Sequence, residues 1–281
     1  MLEHTFCHIS GIGPKTKRRL WPSGALSWHA VEENTPIPLS PKRANLLKRY
    51  VQESIVHLAN NDPNYFYERL PSDQHWRMFP DFRHSVAYLD IETTGLGGPN
   101  DYITAIALYD GRSISHYVQG DNLYDFRDDI EKYRLIITYN GKCFDVPFIR
   151  TYFGIPMDQA HIELRYVLAS LGYRGGLKGC EKQLGMDRAE LADVDGYFAV
   201  LLWYDFYNNG NPRALETLLA YNTLDVVNLE TLMVFGYNLK LRHTPFFERR
   251  RLSRPAVPEL PFKADMETIE RIKCTYGWVG F

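Results

Sequence analysis

The run Val86-Ala87-Tyr88-Leu89-Asp90-Ile91-Glu92 constrains this chain more than any other feature. It opens as unbroken apolar sequence, which is how a strand buried on both faces reads. It then sets two carboxylates two residues apart, and alternation along a strand turns Asp90 and Glu92 to one face. Like charges at the end of an apolar strand repel unless something neutralises them. A divalent cation does so, and Mg²⁺ and Mn²⁺ are the ions that oxygen donors select. A strand that simply runs out into solvent, with Gly95 starting a turn, accounts for the same residues taken alone.

Further runs surround this one. Tyr102–Tyr109 and Ser113–Val118 read as strands, and Asp110-Gly111 between them is a hairpin signal. A helical stretch near Tyr124–Tyr133 leads to Leu135–Tyr139, another buried strand, and helices are predicted from there to about Leu239. Before the first strand, a connector with Pro36, Pro38 and Pro41 precedes a predicted helix from about Lys42 to Asn60, and residues 61–84 read as an irregular bridge. The tail 241–281 carries basic residues, Pro255 and Pro258, and leaves room for a final strand. The pattern predicts an α/β fold in which a mixed sheet is flanked by helices and preceded by a small helical segment. Four parts are expected: 1–50, 51–84, 85–240 and 241–281.

Two more elements carry carboxylates. Asn140-Gly141-Lys142-Cys143-Phe144-Asp145 follows the strand ending at Tyr139, so Asp145 emerges near the sheet's edge; ahead of Val146-Pro147 it also reads as a helix cap. Leu215, Leu218, Leu219, Val226, Leu229 and Leu232 mark a helix that contains Tyr221-Asn222-Thr223-Leu224-Asp225. Tyr221 and Asp225 are four apart and share a helical face. An unpaired carboxylate there is costly to bury, and an exposed Asp on the polar face is the ordinary alternative.

Together the three elements resemble the DEDD family of 3′–5′ exonucleases. The D-x-E, N-x-x-x-F-D and Y-x-x-x-D motifs occur in order, and Ala220 stands where the other subclass has His, so the tyrosine subclass is the match. Over about residues 85–240 the chain also resembles the YprB-type ribonuclease H-like domain, through Gly175-Gly176-Leu177-Lys178, Glu181–Gly185, Asp195-Gly196 and Tyr221-Asn222. The resemblance implies a ribonuclease H-like sheet and two-metal phosphodiester hydrolysis. Asp90, Glu92, Asp145 and Asp225 would hold two divalent ions, Mg²⁺ or Mn²⁺, and Tyr221 would orient the attacking water. With an ordinary pKa near ~10, a tyrosine positions better than it deprotonates. Asn140 and Lys178 are candidates for contact with the substrate strand, and Phe144 for packing.

A nucleic-acid contact is also suggested by Ile9–Leu20, which resembles the hairpin of a helix-hairpin-helix motif. Gly11 and Gly13 would let the backbone approach a phosphate, with Lys15 and Lys17 adding charge. Only eight residues precede Ile9, and a module that merely docks on the main domain is the competing reading. Charge fits the first view. Residues 1–50 carry eight Lys/Arg against three acids, and 241–281 eight against five, so a net −2 overall leaves the middle strongly acidic. An acidic centre for metals between basic ends for phosphates is coherent, although charge fluctuates along any chain.

Cys7, Cys143, Cys180 and Cys274 form no CxxC pair and suggest neither a zinc site nor a disulfide scaffold. The amino terminus lacks the basic start and apolar run of a signal peptide, and no stretch reaches membrane-spanning length, so a cytoplasmic protein is expected. The expected partner is DNA or RNA with a single-stranded 3′ end, and no membrane. A structure-selective endonuclease on the same site, or a domain that binds nucleic acid without cutting it until a partner joins, are the alternatives.

Overall fold

In a computed structural model, residues 1–33 and 37–277 are described, except for the side chains of Pro14, Lys17 and Arg18. Pro36 of the connector lies outside the described residues. The amino-terminal part is helical: α1 (Pro14–Leu20), α2 (Trp28–Glu32), α3 (Pro41–Ala59) and α4 (Pro63–Arg69), then a 3₁₀ stretch and α5 (Phe79–Phe82). Residues 61–84 are thus not an irregular bridge. Asp62 caps α4 by accepting the Tyr65 N–H, Pro63 sits in its first turn, and Phe66, Phe79 and Phe82 bury completely. Aromatic residues spaced among prolines hide helical periodicity while still filling a core.

The sheet follows. Its strands are β1 (Val86–Thr93), β2 (Ile103–Tyr109), β3 (Ile114–Val118), β4 (Leu135–Thr138) and β5 (Ala160–Glu163), in the spatial order β3-β2-β1-β4-β5. The meander β1-β2-β3 is antiparallel, while β4 pairs parallel to β1 and β5 parallel to β4. The expected order of three strands, a helix and a strand is present, with α6 (Phe126–Ile130) leading into β4. The fifth strand is a correction, since only helices were expected after Tyr139. Four residues, Ala160-His161-Ile162-Glu163, form it, which is too short to announce a period.

Parity along β1 decides which face carries what. Ala87, Leu89 and Ile91 point to the side covered by α6 and α7 (Asp145–Phe153), where Phe126, Ile130, Val146 and Ile149 meet them. Val86 and Tyr88 point to the opposite side, into a core shared with Val226, Leu229 and Met233. Asp90 and Glu92 have the parity of Tyr88.

After β5 come α8 (Leu164–Ala169), α9 (Gly176–Gln183), α10 (Gly196–Asn209) and α11 (Pro212–Leu241). At thirty residues α11 crosses the sheet over β1 and β2 and packs against α10, which is why it is buried nearly all round. The tail adds α12 (Phe247–Arg250) and α13 (Met266–Tyr276). Among the described residues of the tail there is no strand; Asp265 caps α13 by accepting the Thr268 N–H, and Ile269 and Ile272 pack on α10 and α11. Residues 278–281 lie outside the described residues. No helix among the described residues is long and apolar enough to cross a membrane.

Candidate metal centre and nucleic-acid interface

β1 and α11 bring the acidic residues together. Asp90, Glu92 and Asp225 each offer an oxygen within 4.8 Å of the others'. Asp225 is buried at 4% exposure, so the exposed polar-face alternative does not hold. Four residues earlier on the same helix, Tyr221 is buried beside it. The i,i+4 spacing thus sets a phenol and a carboxylate one above the other against the end of β1. A bulge between Glu92 and Thr93 breaks the β1–β2 register where the carboxylates emerge.

Asp145 stands beside this cluster. It is the first residue of α7, and its Oδ1 accepts the Ile91 N–H at 3.1 Å, which ties the helix start to β1. The turn before it is held from below. Glu163, at the end of β5, accepts the N–H groups of Asn140 (2.7 Å), Lys142 (3.0 Å) and Arg165 (2.9 Å). Asn140 adopts a left-handed φ of 69°, which asparagine tolerates. At Gly141 a Cβ would strike the Thr138 side chain. The turn therefore requires glycine at 141 and suits asparagine at 140.

Electrostatics set the group apart. Burial raises the Asp90 carboxyl well above its ordinary range, and Asp145, Asp225 and Glu92 push the same way. Burial and the charges of Asp225 and Asp145 do likewise for Glu92, which accepts no hydrogen bond among the described residues. Asp145 is pushed up to about 7, chiefly by burial, with two backbone N–H groups opposing. Burial also raises the Tyr221 phenol well above the ordinary tyrosine value, Asp225 and Glu92 adding to it.

Several partners were not singled out from the sequence. Asn222 Nδ2 donates to Asp90 Oδ2 at 2.7 Å. Arg188, only 7% exposed, donates through Nη2 to Asp225 and through Nη1 to Glu181 at 2.6 Å. Asn228 Nδ2 donates to the other Glu181 oxygen at 2.7 Å. Arg188 and Lys178 both lie over the Tyr221 ring, at 5.2 and 5.5 Å from its centre. Burial lowers the Lys178 amine, which donates to the Val194 carbonyl; it is half-buried, not the solvated lysine that is the commoner case. Asn222 is the residue a sequence argument had within reach, because it adjoins Tyr221 inside an apolar helix.

The donor set fits a hard divalent cation: three converging carboxylates, oxygen atoms only, with charges that nothing nearby fully neutralises. Where the turn before α7 enters the helix, a cleft of about 420 Å³ is walled by Leu96, Cys143, Phe144, Phe148 and Tyr152. Leu96 is 92% exposed at its mouth. Phe144 packs on Phe148 at 5.8 Å, as expected of a packing residue.

The amino-terminal hairpin lies apart from this centre. Gly11 (φ 78°), Gly13 and Lys15 are exposed, while Ile9 and Ile12 bury. Arg43 of α3 donates to the Gly11 carbonyl at 2.6 Å, and His8 bonds Ser54 of α3 at 2.7 Å. Lys17 belongs to α1, with its side chain outside the described residues. Leu2, Phe6 and Trp28 share one core with Tyr237 and Leu241, so the segment is packed onto the rest of the chain.

Comparison with known proteins gives three findings. A family model described as the RNase_H superfamily matches residues 87–236, just over half of the chain. The uncharacterized protein YprB of Bacillus subtilis strain 168 is 27% identical over 174 residues, covering 54% of this chain and 42% of that protein. This chain thus matches less than half the length of that relative. The family B DNA polymerase of the hyperthermophilic archaeon Pyrobaculum calidifontis aligns over 56% of this chain and 24% of its own, with TM-score 0.43 and 18% identity.

Proposed function

The chain belongs to the RNase H superfamily, and on that footing we propose that it is a metal-dependent 3′–5′ exonuclease of the tyrosine subclass, acting on DNA or RNA. The observation that carries the reading is the shared focus of Asp90, Glu92 and Asp225, with Tyr221 one helical turn before Asp225. In this reading the flanking parts, 1–50, 51–84 and 241–281, serve one nuclease unit at 85–240.

Asp90, Glu92, Asp225 and Asp145 would hold the cations. Bound divalent ions supply an acidified water and neutralise charge developing on the phosphate. The chain's own residues do the rest. Asn222 fixes the plane of the Asp90 carboxylate, and Arg188, anchored by Glu181 and Asn228, fixes that of Asp225. The raised phenol of Tyr221 stays protonated at neutral pH, so it orients a water by hydrogen bonding and does not remove its proton. The cleft lined by Leu96, Phe144 and Phe148 offers apolar walls for the terminal base.

The test is a cleavage time course with Mg²⁺ or Mn²⁺ and an EDTA control. The substrates are 5′-labelled single- and double-stranded DNA and RNA with free or blocked 3′ ends. A metal-dependent ladder shortening from the free 3′ end supports the proposal and names the polymer. Internal cuts on blocked substrates would make it an endonuclease, and binding without cleavage would reduce it to a binding domain.

A further inference from the structure

A second cleft opens on the other side of the Asn140–Asp145 turn. About 480 Å³ in volume, it is lined by Tyr139 and Asn140, by Arg165 and Ala169 of α8, and by Tyr173, Arg174 and the two glycines that start α9. We propose that this cleft binds the single strand upstream of the scissile phosphate, with Arg165 and Arg174 on the phosphates and Tyr173 beneath a base. The proposal rests on the nuclease reading and says where the rest of its substrate lies.

Charge is the first argument. No carboxylate lines the cleft, whereas the 660 Å³ cleft beside α4 sets Asp62, Glu131 and Asp158 against the single Arg134 and is net negative. Arg174 is exposed, and its guanidinium has no partner among the described residues. Arg165 is exposed as well and spends one nitrogen, Nη1, on the Asn140 amide oxygen at 2.5 Å. Its remaining donors are unused among the described residues, and a planar guanidinium suits two phosphate oxygens at once.

Stacking is the second. The Tyr173 ring is half-buried and braced edge-on against Phe235 at 5.5 Å, which leaves a fixed aromatic face. Aromatic faces accept any base, so the contact suits a strand read without regard to sequence. A protein acid cluster would use the arginines and leave the tyrosine idle.

Continuity is the third. Asn140 and Asp145 sit on one turn closed by Val146 N–H to Gly141 C=O at 2.9 Å. The apolar cleft is lined by the later residues of that turn and this cleft by the earlier ones. A strand whose end enters the first reaches the second along this turn, which leads into Asp145.

The experiment compares the wild type with Arg165→Gln/Arg174→Gln and, separately, Tyr173→Ala. Anisotropy in EDTA measures the binding of twelve-nucleotide oligothymidylate and oligouridylate across a salt series. Hydrolysis of the oligomers is set against that of the p-nitrophenyl ester of thymidine 5′-phosphate, which is too short to span both clefts. The double variant should bind the oligomers roughly tenfold more weakly, with a salt slope shallower by about 1.4, the value for two lost single-strand phosphate contacts. Tyr173→Ala should weaken binding and leave the slope as it was. In both variants the advantage of oligomer over ester should shrink. An oligomer that the wild type cleaves, but that the double variant binds with unchanged affinity and slope, overturns the cleft and spares the nuclease reading. A wild type that neither binds nor cleaves any of these substrates sinks both.

Discussion

Two buried acidic sites, one on α10 and one where β1 meets α11, behave in opposite ways. On α10, Asp205 is 6% exposed yet fully served: Asn209 (2.9 Å), Asn211 (2.7 Å) and Arg271 of α13 all donate to it. Burial works against its charge, but Arg271 and the two amides hold the carboxyl below the ordinary range. At the end of β1, among the described residues, four carboxylates share two side-chain donors, Asn222 and Arg188, and the backbone N–H groups of Ile91 and Asp145. There the carboxyls of Asp90, Glu92, Asp145 and Asp225 all rise. A carboxylate that brings its own donors keeps its charge when buried, whereas a group that lacks them is pushed toward protonation.

That contrast breaks most sharply on activity. Asp225→Ala or Asp90→Ala should lower metal-dependent cleavage by more than about 100-fold while far-ultraviolet circular dichroism stays unchanged. Full cleavage by either variant would place the chemistry elsewhere. Tyr221→Phe should cost roughly tenfold in rate, because only the hydroxyl's hold on water goes, and metal affinity by calorimetry should stay as in the wild type. A changed affinity would make Tyr221 part of the metal site.

The pH dependence sharpens the comparison further. Asp145 is pushed up to about 7 in the folded chain against about 4 in the unfolded, so its protonated form favours folding. That contribution is present below pH ~4 and is lost as pH rises through 7. Without metal, Asp145→Asn should therefore melt higher than the wild type at pH 8, and the gap should narrow toward pH 5. A gap that widens on acidification would reverse the assignment. His8 and His161 run the other way: burial pushes both down to about 3, so what they contribute is present above pH ~6.5 and fades as pH falls.

The smallest effect is expected at the self-sufficient site. Arg271→Gln removes two of the four hydrogen bonds to Asp205 and should cost about 1–2 kcal/mol of stability in denaturant melts. Cleavage below the melting transition should be untouched. A loss of cleavage there would tie the tail to catalysis.

Much of this molecule was legible in the chain. The apolar run at 86–91, the Asp-Gly hairpin and the i,i+4 pair at Tyr221 and Asp225 foretold the strands, the meander and the helix that carries them. These depend on local periodicity and on turn chemistry, which neighbouring residues suffice to set. Short elements were less legible. β5 has four residues and no visible period, and α4, α5 and α13 owe their burial to partners far away in the chain.

What the sequence determined by itself is the identity and order of the acidic residues, and the parity that turns Asp90 and Glu92 to one face. Tertiary structure alone decided which charges meet. Nothing local to Met186-Asp187-Arg188 says that this arginine turns inward to Asp225, or that Glu163 holds the turn before Asp145. A long side chain on a loop has no preferred direction until a buried opposite charge or a row of backbone donors fixes one, and those partners come from elements tens of residues away.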